Sequence, residues 1–138
     1  MTILLSNAFA NALLQHSGTS LADQFGGGSI VVYSGTPPTG PNEALSGNTV
    51  LATWAFAAAT SWAAPSGGVE TLDIPTTTVT ASATGTATFF RVLNSGSTAL
   101  LQGTVGTSGA DFNLSSTGIT SGDNVAITGT PTIAWTTT

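Results

Sequence analysis

The carboxylates and the single histidine are the side chains that could carry acid–base or metal chemistry. Glu70 and Asp73 lie three residues apart in a segment that predicts a short strand, so they point to opposite faces and cannot flank one substrate. A hydrolytic pair would require the fold to bring one of them beside Asp111 or Asp123. His16 has no second histidine and no cysteine to complete a site, and a polar helix end accounts for it. We therefore expect no catalytic residues and no enzyme activity.

Two turn segments carry oxygen ligands of the kind that calcium binds, Asp111-x-Asn113 and Asp123-Asn124. Neither has the loop spacing of an EF-hand, and side-chain hydrogen bonds within an Asx turn account for both. We expect no metal and no cofactor, and the sequence leaves calcium at these turns as an open alternative.

The aromatic residues could form a platform on which sugar rings stack. Trp54 and Trp135 belong to apolar strand patterns, which predict a core or interface position for both. Trp62 lies in a predicted loop, so it is the tryptophan that a carbohydrate-binding module would use, together with Tyr33.

The charge of the chain excludes several classes of function. Its 138 residues include one arginine, no lysine, six acidic residues and no cysteine, for a formal net charge of −5. One cation cannot neutralise a phosphate backbone, and a P-loop requires a lysine, so we expect no direct nucleic-acid partner. No apolar run is long enough to predict a membrane span, and the segment around Ala8-Phe9-Ala10 lacks the basic start of a signal peptide.

The one cation, Arg91, lies in the middle of the clearest strand pattern. Alternation places Ala87, Phe89, Arg91 and Leu93 on one face. A partly buried guanidinium requires a carboxylate or backbone carbonyls to offset its desolvation. Asp111 is the first candidate, so we predict a structural ion pair between Arg91 and Asp111. Binding of an anionic ligand is the alternative, although such sites normally use more than one cation.

Short strands separated by turn residues predict a mainly β fold. The pattern predicts an antiparallel β-sandwich, jelly-roll-like or immunoglobulin-like, with a short N-terminal α-helix. The helical stripe covers residues 3–15, and a second helical turn over 20–25 has Ser20 and Asp23 as capping residues. We predict a helical arm with a flexible glycine-rich joint at 1–28 and a β-sandwich domain at 29–138.

Individual strands can also be placed. The predicted strands span residues 29–34, 49–56, 68–74, 86–93 and 98–105, with a further strand or strand pair in the C-terminal tail. In the second of these, alternation puts Val50, Ala52, Trp54 and Phe56 on one face. Residues 94–97, Asn-Ser-Gly-Ser, predict a hairpin turn, and residues 35–48 predict a surface loop.

Three blocks of the sequence form a recognisable combination: GGGSIVVYSGTPPTGP, ALSGNTVLATWAF and GTATFFRVLNSGSTALLQGTVGTSGADFNL. Together they resemble a family of small structural proteins from tailed bacteriophages. The match extends from about residue 3 to residue 128, and the last block is its most specific part. Arg91 and the turn 106–111 fall on the family pattern. The turn 94–97 is neutral here, whereas the family pattern is more acidic at this turn.

The resemblance implies a non-enzymatic virion component, made in the host cytoplasm. It points first to a decoration or cement protein on the capsid surface that binds the major capsid protein and forms a dimer or trimer. A small tail or adaptor protein and a carbohydrate-binding module are the alternatives. The N-terminal arm and loop 35–48 are the expected contact segments. The interface candidates are Leu5, Phe9, Tyr33, Pro37, Pro38 and Trp62.

Overall fold

The computed structural model describes residues 4–6 and 20–134. Its elements are β1 (Leu4–Leu5), α1 (Leu21–Phe25), β2 (Ser29–Ser34), β3 (Thr49–Ala55), a 3-10 turn (Ala59–Ser61), β4 (Val69–Thr71), β5 (Thr78–Thr80), β6 (Gly85–Leu93), β7 (Ala99–Gly106), β8 (Phe112–Asn113), β9 (Gly118–Ile119), β10 (Asn124–Ala126) and β11 (Thr132–Ala134). The fold is mainly β and sandwich-like, with a short helix, which confirms the predicted class.

The main sheet runs in the order β1-β7-β6-β2-β3, and every neighbouring pair along this path is antiparallel. Short antiparallel ladders, β5 with β10 and β4 with β11, accompany it. β9 pairs with the beginning of β6, and β8 runs parallel to the end of β7. These added strands curl the sheet around its apolar inner face.

The main core lies against the inner face of the central strands. The row Trp54–Ile30–Val92–Leu101 crosses four strands at matching positions, and all four side chains are buried. The residues that pack against this face from the rest of the chain include Leu72, Ile74, Phe112, Leu114, Ile119, Val125 and Ile127. Alternating large apolar residues on β2, β3 and β6 therefore account for the sheet and for the core together.

The helix at residues 21–25 confirms the second predicted helical turn. Ser20 caps it: its hydroxyl accepts from the backbone N–H of Asp23, and its own N–H donates to the Asp23 carboxylate at 2.9 Å. The Ser20 side-chain hydrogen bond is the main reason why the pKa of Asp23 lies below its ordinary value. The helix ends with Phe25 fully buried in the main core.

The glycines after this helix form a close-packed turn and not the predicted flexible joint. The N–H of Gly27 donates to the Ala57 carbonyl, and the carbonyl of Gly28 accepts from the N–H of Phe56. A Cβ at Gly26 would lie 2.5 Å from the backbone nitrogen of Ala59. Glycine is required here because backbone segments approach one another too closely for any side chain.

The predicted helix over 3–15 is wrong at its described residues. Leu4 and Leu5 form β1, an edge strand opposite Gln102 and Leu101 of β7, and the N–H of Ser6 donates to the Leu100 carbonyl. The rest of that prediction falls outside the described residues. Exposed hydrogen-bonding groups on the edge of β7 favour strand pairing over the local helical pattern.

Two β-bulges change the predicted faces. Opposite Tyr33, the register of β3 skips Leu51, so Leu51 is buried while Val50 is 40 % exposed, contrary to the simple alternation. Opposite Ser34, the register of β6 skips Thr88, and Ala87 joins the main core instead of the face of Phe89. Both bulges face the end of β2, where the chain enters the loop 35–48.

The outer face of the sheet carries a second, smaller apolar cluster. Val31, Tyr33 and Phe89 are buried there, and Leu93 packs against them. The rings of Tyr33 and Phe89 stack with centroids 5.1 Å apart and planes at 15°. Arg91 shares this face, as its strand position predicts, so the one cation of the chain lies in a partly apolar layer.

Candidate functional site

The loop 35–48, which we call the covering loop, connects β2 to β3 and folds back over the outer face of the sheet. Four of its backbone carbonyls, those of Gly35, Pro38, Gly40 and Glu43, accept hydrogen bonds from side chains of the sheet. Within the loop, the side chain of Pro41 is buried and most of the other side chains are exposed. The covering loop is therefore anchored by its backbone and presents its side chains outward.

Arg91 and Gln102 form the anchor. They lie directly opposite one another on β6 and β7, and Nε of Arg91 donates to Oε1 of Gln102 at 2.9 Å. Nη2 of Arg91 donates to the carbonyls of Gly40 (3.0 Å) and Glu43 (2.8 Å), and Nε2 of Gln102 donates to the Pro38 carbonyl at 2.8 Å. The fork of the guanidinium thus reaches one side chain and two carbonyls at once.

Neutral hydrogen-bond acceptors compensate for the desolvation of the guanidinium. Arg91 is only 5 % exposed, and its hydrogen-bond partners within the described residues are an amide oxygen and two backbone carbonyls. Burial lowers the pKa of Arg91, and the nearby Tyr33 acts in the opposite direction. Arginine has so high an ordinary pKa that the side chain remains charged at neutral pH. The positive charge therefore faces the interior of the protein.

Asp111 is not the partner of Arg91, in contrast to the predicted ion pair. After β7 the chain makes a full loop, so that β8 runs parallel to the end of β7. This loop brings Asp111 beside Thr104. Oδ2 of Asp111 accepts from the Thr104 N–H at 2.9 Å and from its hydroxyl at 2.7 Å. The carboxylate closes the turn 106–111, and the covering loop supplies the acceptors that Arg91 requires.

The outside of the protein is negative. Of the six carboxylates, Asp23, Glu43 and Asp123 are exposed, and Glu70, Asp73 and Asp111 are partly buried. The only lysine or arginine in the sequence is the buried Arg91. A protein that binds this surface therefore meets carboxylates, hydroxyls and apolar groups.

The proposed interface residues occupy different environments. Tyr33 is 4 % exposed and stacked on Phe89, so its ring faces the interior and is not available to a partner. In the covering loop Pro37 is exposed and Pro38 is partly buried. Leu5 lies in β1, where only its backbone is described, and Phe9 lies outside the described residues.

Trp62 lies in a cleft of about 320 Å³, which we call the Trp62 cleft. Leu21, Ala59, Pro65, Glu70 and Ile133 line it together with Trp62. The indole Nε1 donates to the Ala57 carbonyl at 3.1 Å, and the ring packs against Phe25 and Phe56. The indole is thus held in one orientation with part of its surface exposed.

The other chemical candidates have structural partners. Asp123 accepts from the Thr120 N–H at 3.1 Å, a donor three residues earlier, so this is not the hydrogen bond of the predicted Asx turn. Trp54 is fully buried, and its Nε1 donates to the Thr77 carbonyl. Within residues 4–6 and 20–134 no group of three or more acidic or histidine side chains could hold a metal ion. His16 and Trp135 lie outside the described residues.

Gln102 and the carbonyls of the covering loop are the site residues that the sequence did not reveal. Gln102 is the polar position of a strand otherwise rich in apolar residues, and the hairpin at 94–97 places it opposite Arg91. The pairing of positions 91 and 102 across the hairpin was the sequence signal that could have identified Gln102 as a partner of Arg91. The path of the covering loop has no comparable pattern, because its contacts to the sheet are made by its backbone.

Comparisons with protein-family models, with curated proteins and with solved structures find no match for this chain. In the part of the chain that the structure describes, no helix is long and apolar enough to cross a membrane.

Proposed function

We propose that this chain is a non-enzymatic structural protein of a tailed-bacteriophage virion, and specifically a decoration protein that binds the shell of major capsid protein. The observation that carries the proposal is the anchoring of the covering loop by Arg91 and Gln102. The only lysine or arginine of the protein is used to hold a loop in place. This arrangement serves presentation of a surface, and it leaves no lysine or arginine exposed for phosphate chemistry.

The anchored loop adjoins exposed apolar side chains. Among the described residues the large hydrophobic side chains that are exposed are Leu45 (40 %), Val50 (40 %) and Val69 (36 %). Leu45 lies in the covering loop, and Val50 follows it at the start of β3 on the outer face. A rigid loop with adjacent apolar side chains loses little conformational entropy on docking, which favours a stable subunit contact.

The same features suit a decoration protein in solution and on the shell. Few charges limit the repulsion between copies, so association into dimers or trimers on a symmetric particle is part of the proposal. A small tail or adaptor protein would use the same surface, and the position in the particle distinguishes the two. The N-terminal strand pairs with the edge of β7, which is the geometry by which a terminal arm adds to a sheet.

A carbohydrate-binding module is the second candidate, and the observation in its favour is the Trp62 cleft. A fixed, partly exposed indole beside a carboxylate is one arrangement that binds sugars. In that case function would depend on Trp62 and not on the covering loop. The two candidates therefore predict different sensitive residues.

Cryo-electron microscopy of purified virions from the source phage tests the proposal. Density for this chain arrayed over the icosahedral shell, with the covering loop touching capsid protein, is the expected result. Density only at the tail or a vertex would select the tail or adaptor alternative. Absence from the particle would overturn the structural proposal and leave the sugar-binding candidate.

Reconstitution then tests the surface. Particles lacking this protein are incubated with purified chain, and occupancy is measured. Leu45→Ser and Val50→Thr should lower occupancy at least fivefold, because each removes apolar contact area worth about 1 kcal/mol. Val69→Thr changes a valine of similar exposure outside this surface and should leave occupancy within twofold. Equal losses in all three variants would contradict the assignment of the surface.

A further inference from the structure

We propose that the Trp62 cleft takes the side chain of a lysine or arginine from a partner protein. The cleft lies beside α1 and the β4–β11 ladder and shares no lining residue with the covering loop. It is therefore a second interaction site. The inference does not depend on the virion proposal, because it rests on the chemistry of the cleft alone.

The first element is the indole. Trp62 is held by the hydrogen bond from Nε1 to the Ala57 carbonyl, by edge contact with Phe25 (centroids 6.3 Å apart, planes at 77°) and by Phe56 at 5.7 Å. A cation placed over an indole face is attracted by the negative potential of that face. Because the ring is already oriented, the Trp62 side chain loses little conformational entropy when the cation binds.

The second element is a carboxylate. Glu70 of β4 lies opposite Ile133 of β11, and both line the cleft. No lysine or arginine of this chain competes for Glu70, since Arg91 is the only such residue in the sequence and is bound to the covering loop. Ser20 also lines the cleft and binds the carboxylate of Asp23, which adds negative charge near the mouth.

The third element is the apolar wall. Leu21, Ala59, Pro65 and Ile133 line the cleft together with the indole and the carboxylate. Such a wall suits the methylene stem of lysine or arginine, whose charged head then reaches Glu70. The negative outside of the protein attracts basic partners over a longer range.

A sugar fits the same cleft less well. Glu70 and Ser20 are the polar side chains that line it, and the Ser20 hydroxyl already donates to Asp23 at 2.7 Å. Sugar hydroxyls would therefore find one free carboxylate and a mostly apolar wall, which leaves polar groups unpaired. An acidic ligand would be repelled by Glu70.

A ¹⁵N NMR titration of the full chain tests the inference. The probes are Nα-acetyl-lysine N-methylamide and the matching arginine amide, and the norleucine amide is the uncharged control. The indole signal of Trp62, identified from its loss in Trp62→Phe, should shift with both basic probes at millimolar concentration. The norleucine probe should bind at least fivefold more weakly, and added salt should weaken the basic probes.

Charge-neutralising variants locate the effect. Glu70→Gln keeps the shape of a partly exposed side chain and should weaken both basic probes at least fivefold. Glu43→Gln removes the same charge from the covering loop and should change binding less than twofold. The unperturbed part of each spectrum shows that the variants are folded.

Three results would overturn the inference. The norleucine probe could bind as tightly as lysine, which would make the cleft merely apolar. N-acetylglucosamine or maltose could shift the Trp62 signal while the basic probes do not, which would make it a sugar site. The basic probes could shift only signals far from Trp62 and Glu70, which would show non-specific attraction to the negative surface.

Discussion

Arg91 and Gln102 occupy directly opposite positions on β6 and β7, and the guanidinium Nε donates to the amide oxygen across the 2.9 Å between them. The pair is buried, and together the two side chains hold three carbonyls of the covering loop. A polar pair of this kind stabilises the protein only while every member keeps its partners. The energetic consequences of this relationship can be measured.

The first prediction concerns the coupling between the two anchoring side chains. Arg91→Met and Gln102→Leu should each lower the free energy of unfolding by about 2–4 kcal/mol, because each leaves buried polar groups without partners. The double variant should lose about 1–3 kcal/mol less than the sum, since it removes both halves of one contact. Urea unfolding at neutral pH measures the free energy of unfolding of the parent protein, the two single variants and the double variant.

Hydrogen exchange supplies the local readout for this pair. Amides in the covering loop should exchange faster in Arg91→Met than in the parent protein. Arg91→Lys keeps the charge but not the planar fork, so it should release the loop with a smaller loss of stability. Additive losses in the cycle, or unchanged exchange in the loop, would contradict the anchoring role.

The second prediction separates Arg91 from Asp111. Asp111→Ala should lower the free energy of unfolding by about 1–3 kcal/mol, because the N–H and hydroxyl of Thr104 lose their acceptor. Combined with Arg91→Met, the losses should add within about 0.5 kcal/mol, as expected for groups that share no partner. A coupling energy above about 1 kcal/mol between Arg91 and Asp111 in the same urea experiment would support the predicted ion pair and contradict the hydrogen-bond partners seen in the structure.

The third prediction concerns the bulge in β6. The Thr88 hydroxyl donates to the carbonyl of Gly35 at 2.6 Å and to that of Tyr33 at 3.3 Å, at the entry to the covering loop. Thr88→Val keeps the shape and removes the donor, so stability should fall by about 1 kcal/mol. Thr86→Val, an exposed position two residues earlier, should change it by less than about 0.5 kcal/mol. Equal effects in thermal or urea unfolding would show that the hydroxyl does not stabilise the bulge.

Local pattern predicted the longer strands of this fold well, because β2 has four consecutive apolar residues and four of the last five residues of β6 are apolar. The SIVVYS segment forms a strand over the predicted range 29–34, and the capping oxygens at Ser20 and Asp23 form the predicted box. Such signals depend on neighbouring residues, which a single sequence contains in full.

Strand register and loop contacts, which depend on segments distant in the sequence, were not predictable in the same way. The bulges at Leu51 and Thr88 are set by how β3 and β6 pair with the end of β2, and one skipped residue reverses every face beyond it. The partner of Arg91 depended on a loop some fifty residues earlier, whose backbone carbonyls have no sequence signature. The strand position of Arg91 was predictable, and its acceptors were not.

The last prediction concerns alkaline pH. Burial raises the pKa of Tyr33 above its ordinary value, although the charge of Arg91 acts in the opposite direction. The unfolded chain ionises its phenol near pH 10, while the folded protein keeps it neutral to higher pH. The unfolded state therefore binds fewer protons in that range, so the free energy of unfolding should decrease as the pH rises above about 10.

Tyr33→Phe is the control for the alkaline effect. It removes the only tyrosine of the chain, so the phenolate absorbance reports one group and disappears in the variant. Urea unfolding between pH 8 and 11 should show a steeper loss of stability for the parent protein than for Tyr33→Phe. Arg91, whose pKa is lowered by burial, contributes with the opposite sign in both proteins. Identical slopes for the two proteins would show that the phenol ionises as readily in the folded state as in the unfolded state, and that the stacked layer beneath the covering loop is accessible to water.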